Sequence, residues 1–221
     1  MRKNLTELVF ILDRSGSMSG LEMDTIGGYN ALLKKQKCED GEAIVSTVLF
    51  NDQQEVLHDR VDLQRMNEIT EKEYYVCGCT ALLDAVGGAI RHIKNVHKYA
   101  REEDRPEKTL FIITTDGMEN SSRRYTYEKV KSMVEYQKEK YGWEFLFLGA
   151  NIDAIDVAGR FGIHEDRAVN YECDSIGTAV NFKALSNAVS RVRGAKCCAG
   201  AALSSSWKEE IEADYEKRHR K

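Results

Sequence analysis

The segment Leu8-Val9-Phe10-Ile11-Leu12-Asp13-Arg14-Ser15-Gly16-Ser17 joins five apolar residues to a run of short polar ones. The apolar half predicts a buried strand, so Asp13 lies at the carboxyl end of that strand. Open α/β sheets bind ligands at this edge. Asp13, Ser15 and Ser17 occupy alternate positions, so their oxygen atoms can face one centre, as a hard cation requires. These residue types also build turns and helix caps, and the segment alone leaves both interpretations open.

Outward from this segment, apolar runs alternate with stretches of helical periodicity. Strands are predicted over residues 8–12, 43–50, 55–63, 110–114 and 145–148, and helices over 21–35, 81–99, 127–141, 154–161 and 176–192. The alternation predicts a doubly wound, Rossmann-like α/β fold, with a mostly parallel six-stranded sheet and helices on both faces. The short polar turn 51–54 predicts a hairpin, and therefore one antiparallel strand at the sheet edge.

The chain has 221 residues, of which 42% are hydrophobic and 31% charged, with a formal net charge of −4. This predicts one globular domain over residues 1–193 and speaks against a surface built mainly to hold nucleic acid. Small residues over 194–206 predict a flexible joint, followed by a short charged helix or tail over 207–221. The first apolar run is too short for a signal peptide or a membrane span, so we expect a cytoplasmic protein.

The terminal segment carries three large apolar side chains at helical spacing, Trp207, Ile211 and Tyr215. Such a stripe serves either to dock a helix on its own domain or to bind a partner. We expect docking on the domain.

Six cysteines lie at positions 38, 77, 79, 173, 197 and 198. Their spacing matches neither a zinc knuckle nor a Cys-x-x-Cys redox centre, which favours reduced, structural thiols. Oxidation or soft-metal binding by Cys77 with Cys79, or by Cys197 with Cys198, remains a lesser alternative.

Two further loops carry residues of the same chemical type as the first. Asp116, within Thr115-Asp116-Gly117, follows the apolar run 110–114 and so also lies at the carboxyl end of a strand. Thr80 immediately precedes a helical pattern, where its hydroxyl either caps the helix or faces the same edge. Because parallel strands end at one edge of the sheet, two carboxylates and three hydroxyls are expected to converge on a cation site.

The combination of Asp-x-Ser-x-Ser, a distant threonine and a Thr-Asp-Gly after a strand resembles the von Willebrand factor type A family and its metal-ion-dependent adhesion site, over roughly residues 5–193. The resemblance implies Mg²⁺ or Mn²⁺ as the ion. It implies that the serines bind directly, the threonine directly or through water, and the aspartates often through water. One departure is Cys79, where glycine is more usual before the threonine. The metal-site residues implied are Asp13, Ser15, Ser17, Thr80 and Asp116.

The resemblance also implies a function, that of a divalent-cation-dependent protein-binding module, an adaptor whose ion captures an Asp or Glu carboxylate of a partner. Neutral hydroxyls compensate little of the ion's charge, so it stays electrophilic towards a further oxygen. Intracellular relatives stand beside ATPases and in other large assemblies, so we expect a protein partner of that kind. We expect no nucleic acid, no membrane and no enzymatic activity.

The alternative is a metal-dependent hydrolase or phosphatase that uses the same ion. None of the five histidines lies in the three loops, and Glu119 is expected to be a solvated rim residue. A nucleophile elbow is excluded over 16–20, because its central residue is Met18 rather than serine. Gly27-Gly28 and Gly87-Gly88 lack the lysine and spacing of a phosphate loop, and instead predict close helix packing.

Overall fold

A computed structural model describes residues 1–196 and 199–219, so Cys197 and Cys198 lie outside the described residues. The strands are β1 (Arg2–Asp13), β2 (Glu42–Phe50), β3 (Gln54–Asp62), β4 (Pro106–Asp116), β5 (Glu144–Ala150) and β6 (Ala168–Asn170). The α-helices are α1 (Glu22–Lys37), α2 (Leu82–Tyr99), α3 (Tyr127–Tyr141), α4 (Ala154–Arg160), α5 (Ser175–Gly194), α6 (Ala199–Ala202) and α7 (Glu209–His219).

The strands form one six-stranded sheet in the order β3-β2-β1-β4-β5-β6. All neighbouring strands are parallel except β2 and β3, which form the predicted hairpin at one edge. In the register, Leu12 pairs with Leu49 on one side and with Thr114 on the other. The loops after β1 and β4 therefore leave the sheet at the same end of the strands, which we call the carboxyl edge. The predicted doubly wound sheet is confirmed.

Helices cover both faces of the sheet, and this explains why the sequence of β1 is a continuous apolar run. Leu8, Phe10 and Leu12 belong to the core shared with α1, α5 and α7. Val9 and Ile11 belong to the core shared with α2, α3 and α4. A strand covered on both faces has no solvent side and so shows no alternation. Of the helices described, none is long and apolar enough to cross a bilayer.

The terminal segment that begins at Trp207 and continues into α7 packs on the domain, as its apolar stripe predicts. Trp207 and Ile211 are buried in the same core as α5. Trp207 Nε1 donates to the carbonyl of Asp166 at 2.8 Å, and Lys208 Nζ donates to the carbonyl of Ala168 at 2.9 Å. Within the expected joint 194–206, the described residues include the helical turn α6. The flexibility of that segment stays a prediction.

Gly28 marks the close approach of α1 and α5, because a Cβ there would lie 2.3 Å from Phe182 Cδ2. We expect Gly28→Ala to lower the free energy of unfolding by about 1–3 kcal/mol, since the ring has to move. Gly27→Ala is the matched control, because a Cβ at Gly27 meets no atom within 4 Å. It should stabilise the helix by up to about 1 kcal/mol. Urea denaturation checks both variants, and effects of the same sign would contradict this packing.

Candidate metal centre

Three hydroxyl groups from two loops meet at the carboxyl edge. Ser15 Oγ lies 3.0 Å from Ser17 Oγ, and Thr80 Oγ1 donates to Ser15 Oγ at 3.0 Å. The Ser17 hydroxyl also donates to the main-chain carbonyl of Asp116. Ser15 and Thr80 are buried, whereas Ser17 is exposed. This hydroxyl cluster is therefore fixed by the protein on one side and open to solvent on the other.

The carboxylate of Asp13 ties the loops after β1 and β4 together. Its Oδ1 accepts the N–H of Ser15 at 2.7 Å. Its Oδ2 accepts the hydroxyl of Thr115 at 2.7 Å and the N–H of Asp116 at 3.2 Å. Burial raises the pKa of the Asp13 carboxyl, and the hydrogen bonds from Ser15, Thr115 and Asp116 oppose that rise. A nearby cation would favour the charged carboxylate further.

The carboxylate of Asp116 is held by two side chains that the sequence did not indicate. Asn151 Nδ2 donates to Oδ1 at 2.6 Å, and the Cys173 thiol donates to Oδ2 at 2.8 Å. Burial and the hydrogen bond to Asp116 raise the pKa of the Cys173 thiol, which therefore remains a protonated donor. Asn151 directly follows β5, so its place at the carboxyl end of a strand could have identified it in the sequence. Cys173 does not follow a predicted strand, and no sequence pattern indicates its role.

The loop that carries Thr80 is fixed against the first loop. The Gly16 N–H donates to the Gly78 carbonyl at 3.0 Å, which places the two backbones side by side. The N-cap of α2 is the residue after Thr80, and its side chain makes no capping bond. Thr80 thus faces the hydroxyl cluster and does not cap the helix. Cys77 and Cys79 in this loop are exposed free thiols.

Glu119 is not the solvated rim residue that we expected. Its Oε1 accepts the N–H groups of Ser121 at 2.9 Å and Ser122 at 2.7 Å. Its Oε2 accepts the N–H of Leu83 at 2.9 Å, in the first turn of α2, where a negative charge is favourable. The expectation was wrong because unpaired N–H groups of the loop and the helix start surround this carboxylate. Glu119 holds the loop after β4 against α2.

The histidines lie away from the hydroxyl cluster. His219 Nδ1 lies 3.7 Å from a carboxylate oxygen of Glu172, in the loop before α5. The other four contact residues outside the three loops: His58 with Thr47, His92 with Asp59, His97 with Glu7, and His164 with Asp166. None of the five histidines forms a hydrogen bond or an ion pair with the hydroxyl cluster.

The donor set fits a hard divalent cation. Mg–O distances of 2.0–2.1 Å place adjacent octahedral ligands about 2.9 Å apart. The two hydroxyl separations of 3.0 Å are ordinary hydrogen-bond distances and are also compatible with that edge. Within residues 1–196 and 199–219, no three His, Cys, Asp or Glu side chains are grouped to hold a metal. Any cation site here therefore includes the hydroxyls, and neutral oxygen donors of this kind suit a hard divalent cation.

No protein-family model and no curated protein matches the chain. Solved structures do resemble it. Mussel proximal thread matrix protein 1, in a structure with a zinc-occupied MIDAS motif, is 12% identical with a TM-score of 0.57, over 84% of this chain and 46% of its own. A von Willebrand factor type A structure from Catenulispora acidiphila is 14% identical with a TM-score of 0.56, over 84% and 42%.

Manganese-loaded TRAP protein from Plasmodium vivax is 17% identical with a TM-score of 0.56, over 82% of this chain and 74% of its own. The chain spans less than half the length of the mussel and Catenulispora proteins. The chain has the fold of a von Willebrand factor type A domain.

Proposed function

We propose that the chain is a divalent-cation-dependent protein-binding module, an adaptor that takes up an Asp or Glu carboxylate of a partner protein. The hydroxyl cluster carries this proposal, because its spacing suits Mg²⁺ or Mn²⁺ and one side faces solvent. The mussel structure with zinc in its MIDAS motif and the manganese-loaded Plasmodium protein support a divalent metal on this fold. The residues that would hold the ion are Asp13, Ser15, Ser17, Thr80 and Asp116.

These five residues comprise two kinds of group, neutral hydroxyls and charged carboxylates. The hydroxyls of Ser15, Ser17 and Thr80 offer neutral oxygen donors at the open side. The carboxylates of Asp13 and Asp116 each have both oxygens bound by protein donors, which fixes their charge behind the cluster. A bound Mg²⁺ would supply a coordination position for one further oxygen. An arriving carboxylate brings the charge that the hydroxyls lack.

Exposed apolar side chains border the same edge and support a protein as the partner. Met118 lies two residues after Asp116, and Tyr75 lies shortly before the loop of Thr80. Met23 and Ile176 occupy the first turns of α1 and α5. Single exposed apolar residues are ordinary, but several around one polar cluster fit an interface. We propose an acidic segment of a protein such as an ATPase within a larger assembly, and neither nucleic acid nor membrane.

The metal claim is tested by calorimetric titration with Mg²⁺ and Mn²⁺. We expect one saturable site in the wild type and at least tenfold weaker binding in Ser15→Ala/Ser17→Ala, which lacks two donors. The matched control is Ser204→Ala/Ser206→Ala, because these two serines, one exposed and one half-buried, have the same spacing and a hydroxyl contact of 2.6 Å. Absence of saturable heat in the wild type would overturn the proposal.

Carboxylate capture is tested on the manganese-loaded protein by the relaxation rate of water protons. Acetate should lower that rate, because it replaces a water molecule on the ion, whereas acetamide, its neutral analogue, should not. Metal-dependent turnover of phosphate or ester substrates, lost in Ser15→Ala/Ser17→Ala, would instead establish a hydrolase.

A further inference from the structure

A cleft of about 510 Å³ lies between α2 and α3, on the face of the sheet opposite α1 and α5. We call it the α2–α3 cleft. Its charged lining residues are all cations: Arg91 and Lys94 of α2, Arg124 of the loop after β4, and Lys129 of α3. No aspartate or glutamate of the described residues lines it. The cleft therefore presents charge of one sign.

The four cations keep their charge available to a ligand. All four side chains belong to exposed residues, and none forms an ion pair within the described part of the chain. The Lys94 ammonium lies 5.3 Å from the centroid of the Tyr136 ring, which is a neutral contact. Cations gathered beside one cleft repel each other, and they attract a ligand of opposite charge. They do so on a chain whose net charge is −4.

Close packing at Gly87 holds the loop after β4 against α2. A Cβ at Gly87 would lie 2.5 Å from Tyr125 Cδ1, so only a glycine lets the loop approach this closely. The Asp84 carboxylate, in the first turn of α2, accepts the N–H groups of Arg123, Arg124 and Tyr125 at 2.9–3.0 Å. This carboxylate is thus occupied by main-chain donors, and the Arg124 guanidinium is left to a ligand.

The same loop joins the α2–α3 cleft to the candidate metal centre. Near the hydroxyl cluster, the N–H groups of Asn120 and Ser121 donate to the Thr80 carbonyl at 3.0 and 3.2 Å. Four residues separate Thr80 from Asp84, where the loop reaches α2, and they span at most about 14 Å. An extended chain advances about 3.3 Å per residue. A partner segment of about five residues therefore spans from the hydroxyl cluster to the cleft at Arg124.

We propose that the α2–α3 cleft binds a run of acidic residues in the protein partner. Guanidinium and ammonium groups form strong charge-assisted hydrogen bonds with carboxylates. This inference rests on the proposed function for its partner and deepens it, because it requires several carboxylates, one for the ion and others for the cleft. A short acidic segment suits four cations on an acidic chain. A nucleic acid needs basic surface beyond the cleft, which a net charge of −4 disfavours.

The test is fluorescence anisotropy of a labelled hexaglutamate peptide, titrated with the full chain at low salt in EDTA, so that no ion contributes. We expect saturable binding that added NaCl weakens, because salt screens exposed charges. Hexaglutamine, the neutral analogue, should not bind. Absence of saturable hexaglutamate binding, or equal binding of hexaglutamine, would overturn the proposal. Tighter binding of single-stranded hexathymidylate would overturn it in favour of a nucleic-acid site.

Charge-reversal variants locate the site. Arg91→Glu should weaken hexaglutamate binding about tenfold, because it places a like charge against the peptide. Lys129→Glu, on the opposite wall of the cleft, should act in the same way. The matched control is Lys34→Glu, because Lys34 is also an exposed helical cation but belongs to α1, across the sheet. It should bind like the wild type. Wild-type affinity in either cleft variant, or equal weakening in Lys34→Glu, would refute the assignment.

Addition of Mg²⁺ separates this inference from the proposed function. When Mg²⁺ replaces EDTA, the wild type should bind hexaglutamate more tightly, and Ser15→Ala/Ser17→Ala should show no such gain. No gain in the wild type, with EDTA binding that Arg91→Glu weakens, would overturn the metal-dependent function and leave the cleft as a site for acidic segments. A gain with Mg²⁺ but no binding in EDTA would overturn the cleft alone.

Discussion

Replacing Asp116 with alanine is expected to weaken Mn²⁺ binding by about 10–100-fold and to abolish metal-dependent partner binding. The carboxylate of Asp116 is one of the two negative charges that stand behind the hydroxyl cluster, and Asn151 and Cys173 fix it there at 2.6 and 2.8 Å. Neutral hydroxyls cannot replace that charge. Titration of Mn²⁺ followed by electron paramagnetic resonance of the free ion measures the loss directly.

The control for this substitution is Asp156→Ala, which also removes one aspartate but from the exposed surface of α4. It should bind Mn²⁺ like the wild type. Thermal unfolding of both variants shows whether each is folded at the temperature of the titration. Wild-type affinity in a folded Asp116→Ala variant would remove this residue from the metal centre and leave the hydroxyls without a counter-charge.

The main elements of the fold could be predicted from the sequence because helices cover both faces of the sheet. Continuous apolar runs indicated β1 and β4, and the polar turn 51–54 indicated the hairpin of β2 and β3. The strand β6 has only three residues, Ala168–Asn170, too few for a pattern to emerge. It is defined by its pairing with β5, which depends on the tertiary structure.

The part of the candidate site that lies at the carboxyl ends of strands could be predicted from the sequence. Asp13 and Asp116 end neighbouring parallel strands, so the topology brings them together with the serine loop. Cys173 reaches Asp116 from the loop before α5, at a separation along the chain that no local pattern encodes. The role of Glu119 was misjudged for a similar reason, since the helix start that it binds lies in another segment.

Replacing Glu7 with glutamine is expected to lower the free energy of unfolding by about 3–5 kcal/mol. Glu7 lies within β1 with 0% exposure, which the apolar pattern around it does not indicate. Its Oε1 accepts from Arg60 Nε at 2.6 Å, and its Oε2 contacts His97 Nε2. Glutamine keeps the shape but leaves the Arg60 guanidinium against a neutral group. Urea denaturation at neutral pH measures the loss.

The matched control is Glu42→Gln, because Glu42 forms an ion pair with Arg2 at the same N–O distance of 2.6 Å. In that pair the side chains are 57% and 51% exposed, so water solvates both charges. We expect a loss below about 1 kcal/mol there. Since both pairs join a glutamate to an arginine at the same N–O distance, the difference in unfolding free energy between the two variants isolates the effect of burial. Equal losses would show that Arg60 finds water when the Glu7 charge is removed, and would contradict a buried charge cluster at this end of the sheet.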